Sequence, residues 1–181
     1  MSLTLINSQT ASGDTTISFT TGIDSTYKTY LFKCVKIHPS VDGYEFAFQA
    51  NVDGASGYNE TMTTTYFRTI HREDDSEGTT EYQGAFDQAQ GTGFQPIAAA
   101  PSNDSDAVAD GELWLFNPSG TTFIKHFQSR FTQLNSASGN GSMRDNFTAG
   151  YFNVTGAIDD IQFKMTSGTF DGIISLYGLG E

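Results

Sequence analysis

Tyr44-Glu45-Phe46-Ala47-Phe48-Gln49-Ala50-Asn51-Val52 is the stretch that decides the fold. Tyr44, Phe46, Phe48, Ala50 and Val52 fall on one side of a period-two ribbon, and Glu45, Ala47, Gln49 and Asn51 fall on the other. This alternation predicts a strand with an aromatic face on the core and a polar face outward. The rhythm recurs along the chain. Ile17 and Phe19 carry it in the N-terminal part, Leu113 and Leu115 carry it within Gly111–Phe116, and Ile161, Phe163 and Met165 alternate with Gln162, Lys164 and Thr166. Near the end, Ile173, Ser175, Tyr177 and Leu179 oppose Ile174 and Leu176, which predicts a strand buried on both sides. Tyr30–Ile37, Thr61–Arg72, Phe123–Phe131 and Gly150–Thr155 are rich in β-branched and aromatic residues and complete the set.

Turn chemistry separates these runs: Asp42-Gly43, Asp53-Gly54, Asn117-Pro118-Ser119-Gly120, Asn140-Gly141 and Asp171-Gly172. No segment shows a capped helical period; Ala85–Gln90 comes nearest and is too short to be more than a turn. Residues 73–78 form an acidic loop, and residues 96–110 have no strand pattern. With 181 residues, 19 glycines and 4 prolines, the chain suits short strands joined by tight turns. Charged residues are 17%, against about 25% in an average soluble domain. The expectation is an all-β protein: an antiparallel two-sheet β-sandwich, jelly-roll-like, of about eight to ten strands. An up-and-down barrel is the alternative, because alternation does not reveal topology. Residues 1–10 are read as an N-terminal attachment strand and residues 11–181 as a single sandwich domain. Phe46, Phe48, Leu115, Phe163 and Tyr177 are expected among the buried positions.

Charge narrows the function classes. Nine basic and 21 acidic residues give a net charge of −12, which repels phosphate backbones and anionic headgroups. Neither a nucleic-acid partner nor a membrane is expected. Cys34 is the only cysteine and has no intramolecular partner. Residues 1–11 show no signal-peptide pattern, so synthesis in a cytoplasm is expected.

Three sets of phrases resemble a known group. They are Gly22–Tyr27 running into Tyr30–Lys33 and Ile37-His38-Pro39; Gly111–Ser119 followed by Lys125; and Ala157-Ile158, Ile161–Lys164, Ser167-Gly168 and Ile174–Leu179. Together they resemble small jelly-roll virion-associated proteins of tailed bacteriophages, decoration or tail-fibre-like. The resemblance implies a non-enzymatic structural protein on the virion surface, in contact with capsid or tail components. A homo-oligomer is expected from the thinly guarded sheet edges and the apolar N-terminal segment, and the resemblance makes a trimer the preferred state. A carbohydrate- or receptor-binding module that meets a host surface glycan during adsorption is the alternative, and a hydrolase is a distant third.

No residue is assigned a catalytic, cofactor or metal role. His38, His71 and His126 are read as surface or strand-face histidines, since no nucleophile elbow accompanies them. Asp159-Asp160 cannot share one groove on a regular strand, because neighbours point to opposite faces unless a bulge intervenes. Asn103, Asp104, Asp106 and Asp110 offer oxygens to a cation, but their spacing departs from the calcium-loop pattern, and a solvated acidic loop is the ordinary reading. Two sets of residues are singled out. Trp114, the only tryptophan, shares a face with Glu112 and Phe116; it packs in a second layer or interface, or it stacks on a ligand. Leu3, Leu5 and Ile6 are too apolar to be left in water and are assigned to partner contact. Sandwich edges need guarding, and 9 basic residues and 4 prolines supply little of it.

Overall fold

A computed structural model describes residues 2–136 and 141–180. Among them are twelve strands and no helix: β1 (Ser2–Asp14), β2 (Thr16–Phe19), β3 (Thr29–Pro39), β4 (Phe46–Val52), β5 (Met62–Arg72), β6 (Gly78–Tyr82), β7 (Gln95–Ala98), β8 (Ala109–Phe116), β9 (Lys125–Asn135), β10 (Ser142–Phe152), β11 (Ile158–Met165) and β12 (Phe170–Gly180). They form an eight-stranded sheet in the order β1-β12-β3-β8-β9-β10-β5-β6 and a four-stranded sheet in the order β2-β11-β4-β7. All ladders are antiparallel, so the chain is an all-β, sandwich-like protein of two antiparallel sheets. The count exceeds the expected eight to ten because β6 and β7 lack an apolar alternation. β7 overlaps the stretch 96–110 expected to be strandless, and β8 begins within it at Ala109.

The two sheets enclose a core of phenylalanines delivered by the period-two pattern. Phe163 on β11 sits at its centre, with ring centroids 5.3 Å from Phe32, 5.9 Å from Phe46, 6.3 Å from Phe48 and 6.4 Å from Phe19. The seam continues from Phe48 to Phe127 at 5.0 Å and from Phe127 to Phe152 at 5.1 Å. Most pairs meet edge to face, the arrangement that the ring quadrupole favours. Gly111 on β8 lets β9 pass close by: a Cβ there would lie 2.4 Å from both the Arg130 carbonyl oxygen and the Phe131 ring.

Phe46, Phe48, Leu115 and Phe163 are buried as expected. Tyr177 is not a core residue. It is half-buried on the other face of β12, while Ile174 and Leu176 point inward, so the strand is buried on one side only. The outer face of β4 also differs from expectation. Gln49 and Asn51 are buried, not solvated. Connecting segments fold over that face: Gln49 Nε2 donates to the carbonyls of Glu60 at 3.0 Å and Gly93 at 3.0 Å, and Asn51 Oδ1 accepts from the Tyr58 backbone at 2.7 Å. The glutamine amide replaces the water that a solvent-facing polar residue would have used.

At the β7 edge of the four-stranded sheet, the inner face of β5, β9 and β10 is closed by β7 and the segments that flank it. Its packing is polar. Tyr66 Oη donates to Asn146 Oδ1 at 2.7 Å, and Asn146 Nδ2 donates to the Phe131 carbonyl at 3.1 Å and Gln133 Oε1 at 3.2 Å. Thr64 Oγ1 donates to Gln95 Oε1 at 2.7 Å, and Gln95 Nε2 donates to the Phe86 carbonyl at 2.8 Å. An irregular segment can lie over a sheet only if its backbone groups find such partners.

Candidate functional site on the outer face of the large sheet

Among the described residues, no other element covers the second face of the eight-stranded sheet. Register places its side chains in rows across the strands. One row runs Leu5, Tyr177, Leu31, Trp114, Gln128, Ala149, Thr65. The next runs Lys33, Glu112, Arg130, Phe147, Phe67, Tyr82. Between these rows lies a groove of 320 Å³ lined by Trp114, Glu112, Gln128, Arg130, Phe147, Phe67, Thr65 and Ala149. The groove is deep at Ala149 because a lone methyl stands among long neighbours. It continues past Thr65, Gln128 and Ala149 into a second hollow of 400 Å³ walled by Phe116, His126 and Tyr151.

The walls are held in place by pairwise contacts. Trp114 Nε1 donates to Glu112 Oε1 at 3.0 Å, which pins the indole. Arg130 grips Asp145 with two parallel bonds, Nε to Oδ1 at 3.0 Å and Nη2 to Oδ2 at 2.7 Å, and that carboxylate holds the guanidinium proton more firmly than usual. The same guanidinium lies 5.1 Å above the Phe147 ring. Phe147 in turn stacks on Phe67 at 4.8 Å with 5° between planes. His126 and Tyr151 stand 5.8 Å apart at the far end.

Comparison with known proteins finds no family model, no curated protein and no solved structure that matches the chain.

Trp114 therefore lines the groove, half-buried, with Leu113 and Leu115 on the opposite, core side. Its partners Phe147, Phe67, Gln128 and Arg130 were not singled out from sequence. Each sits out of phase with the core residues of its own strand, and that phase is the signal that could have found them.

The second set of residues divides. Leu3 and Leu5 are 45% and 55% exposed on the outer face of β1. Ile6 turns inward across a register shift and packs against the core. Residues 2–14 as a whole form the edge strand of the large sheet, paired with β12.

The titratable groups are dispersed. His38 Nδ1 is 2.8 Å from the Ala107 carbonyl, and His71 Nε2 is 3.3 Å from Asp75 in an exposed pair. Asp110 Oδ1 accepts from the Lys36 backbone at 2.7 Å, where Lys36 adopts φ 57° in a bulge of β3. Asn103 turns instead to Asp42, whose Oδ1 accepts from its backbone at 2.7 Å. Among the described residues no group of three or more His, Cys, Asp or Glu could hold a metal ion. A bulge does fall at Ile158/Asp160. Burial, then Asp160 and Asp53, raise the Asp159 carboxyl above its usual range. Burial pushes the Cys34 thiol far up and leaves it inert.

Proposed function

We propose that this chain is a non-enzymatic structural protein of a tailed-bacteriophage particle: a jelly-roll-like sandwich, made in the host cytoplasm and mounted on the virion surface as a decoration, neck or tail-fibre-like component. It assembles with copies of itself, a trimer being the preferred state, and docks on other virion proteins through β1. The observation that carries this reading is the condition of the sheet edges. Natural sandwiches guard their edges with brevity, proline or charge. β2 has four residues, β7 has four and contains Pro96, and β6 has five with Glu81 among them. β1 has 13 residues and no lysine, arginine or proline. It also exposes Leu3 and Leu5 beside Leu179 and Tyr177. Bulges at Leu5/Asn7 and Ser12/Asp14 interrupt β1, and they leave Ser2–Leu5 as an edge with apolar side chains that suits a partner which adds a strand and covers the leucines.

The net charge of −12 fits an exterior position away from packaged DNA and keeps copies apart where no specific contact joins them. The test has two arms. Light scattering on the purified chain should give an oligomer that dissociates when Leu3 and Leu5 are both replaced by lysine. Antibodies against the chain should label the surface of intact particles. A monomer at high concentration together with unlabelled particles overturns the reading.

A further inference from the structure

We propose that the Trp114 groove is a saccharide-binding site for neutral oligosaccharides built of hexose or N-acetylhexosamine units. The site is distinct from the β1 edge and does not depend on the virion assignment.

Four observations lead there. First, the groove crosses the sheet away from its ends. β8, β9 and β10 have a hydrogen-bonded strand on both sides, and the Met62–Tyr66 half of β5, beyond the reach of β6, bonds to the segment 83–91, so the groove offers no open strand edge to a peptide. Recognition must come from side chains. Second, those side chains set an apolar plate beside polar groups. The Trp114 indole walls the groove, the Phe147 ring, with Arg130 over it and Phe67 stacked against it, also lines it, and the floor contains Gln128, Thr65 and Ala149. A pyranose has an apolar C–H face that packs on an aromatic plate and an equatorial rim of hydroxyls, each both donor and acceptor. The Trp114 indole is that plate, and Gln128, Thr65 and the second carboxylate oxygen of Glu112 supply the complementary donors and acceptors.

Third, the charge is wrong for an acidic ligand. The one cation, Arg130, is already occupied by Asp145, and Glu112 leaves the groove negative within a chain of net charge −12. A sialylated or sulfated glycan is repelled and a neutral one is not. Fourth, the walls are preformed. The Trp114–Glu112, Arg130–Asp145 and Phe147–Phe67 contacts fix the aromatic plates before any ligand arrives, so little side-chain freedom is lost on binding. The adjoining hollows of 320 and 400 Å³ give room for more than a single ring.

The protein carries its own reporter, because Trp114 is its only tryptophan. Titrating the purified chain with neutral glucose, galactose, mannose and N-acetylglucosamine oligomers should shift or quench the tryptophan emission saturably for at least one of them. Affinities between about 10 μM and 1 mM are expected for an open site of this kind. Sialylated and sulfated oligosaccharides should give no response. Ala149→Phe raises the floor without adding a second tryptophan and should weaken binding at least tenfold, with an unchanged circular-dichroism spectrum and melting temperature. Gln128→Ala should weaken it several-fold. The proposal is overturned if no neutral oligosaccharide perturbs Trp114 up to about 10 mM, if only the acidic ones do, or if Ala149→Phe folds normally and binds as well as the wild type. Loss of self-association in the Leu3/Leu5 lysine variant leaves the binding unchanged, so the two proposals fail separately.

Discussion

The two faces of the eight-stranded sheet are built from the same strands and obey opposite rules. On the inner face, Phe32, Phe127, Phe131 and Phe152 are buried, and their rings pack against other core phenylalanines. On the outer face, Trp114, Phe147, Phe67, Tyr82 and Tyr177 stand one residue out of phase with that set and are half-buried or exposed, touched by one another and by polar side chains such as Glu112 and Arg130. Folding energetics account for the first group. The second is kept apolar although burial does not require it, and contiguous apolar surface of that kind marks a place of contact. The difference teaches that in a sheet protein the function lies in the phase of the aromatics and not in their number.

The sharpest test of this contrast is Phe163→Ala. Removing the ring around which Phe19, Phe32, Phe46 and Phe48 pack should destabilise the fold by about 3–5 kcal/mol in urea or guanidinium unfolding. A loss below about 1 kcal/mol would mean that the seam collapses to fill the space, and the inner face would no longer be the structural one.

Asn146→Ala probes the polar end of the same face. It leaves Tyr66 Oη and Gln133 Oε1 each short of a partner in a buried site. The expected cost is about 1–3 kcal/mol by denaturant titration. A neutral result would show that water reaches this network and that the segment around β7 is a loose cover.

Asp159→Asn carries a pH signature. The Asp159 carboxyl is raised by burial and by Asp160 and Asp53, so the folded chain holds this proton more tightly than the unfolded chain does. Its favourable contribution is present below the usual carboxylate range and is lost as pH rises through the raised folded-state value. At neutral pH the variant should therefore melt above the wild type. The advantage should shrink as pH falls from the raised folded-state value towards about 4, the usual carboxylate value, and be gone below it, where both carry a neutral group. An advantage that is constant with pH would assign the effect to packing rather than charge.

How much of this was legible in the sequence follows from what period two can and cannot say. It placed Phe46, Phe48, Leu115 and Phe163 inside because each alternates with polar neighbours. It misplaced Tyr177 because β12 is apolar on both phases, and nothing local says whether the phase of Ile174 and Leu176 or that of Tyr177 and Leu179 faces the core. It left out β6 and β7, since Gly-Thr-Thr-Glu-Tyr and Gln-Pro-Ile-Ala are strands by virtue of their neighbours' free edges and not of their own pattern. Gln49 and Asn51 read as solvent-facing because alternation does not record that residues 53–61 fold back over the strand, nor that residues 83–94 arrive from farther along the chain. The site shows the same division. Trp114 and its outward phase were readable. The meeting of Trp114 with Gln128, and of Arg130 with Phe147, depends on registers between strands, and the sequence holds no record of those.

The smallest effect on stability should come from the outer edge. Leu3→Lys and Leu5→Lys change side chains that are half exposed on β1, whose pairing with β12 uses backbone groups that the substitutions leave intact. Each should alter stability by less than about 0.5 kcal/mol, the usual range for surface sites away from special features. If β1 is a docking edge, the same changes should have a large effect elsewhere. Lysine on an edge strand is the device by which sheet proteins repel a neighbouring strand, and here it would also replace the apolar cover that a partner seals. Sedimentation or light scattering at several concentrations should show the oligomer giving way to monomer in the double variant while its melting temperature measured on the monomer stays put. A double variant that melts several degrees lower and remains associated would invert the contrast: the outer leucines would then belong to the fold, and the contact surface would have to be sought away from β1.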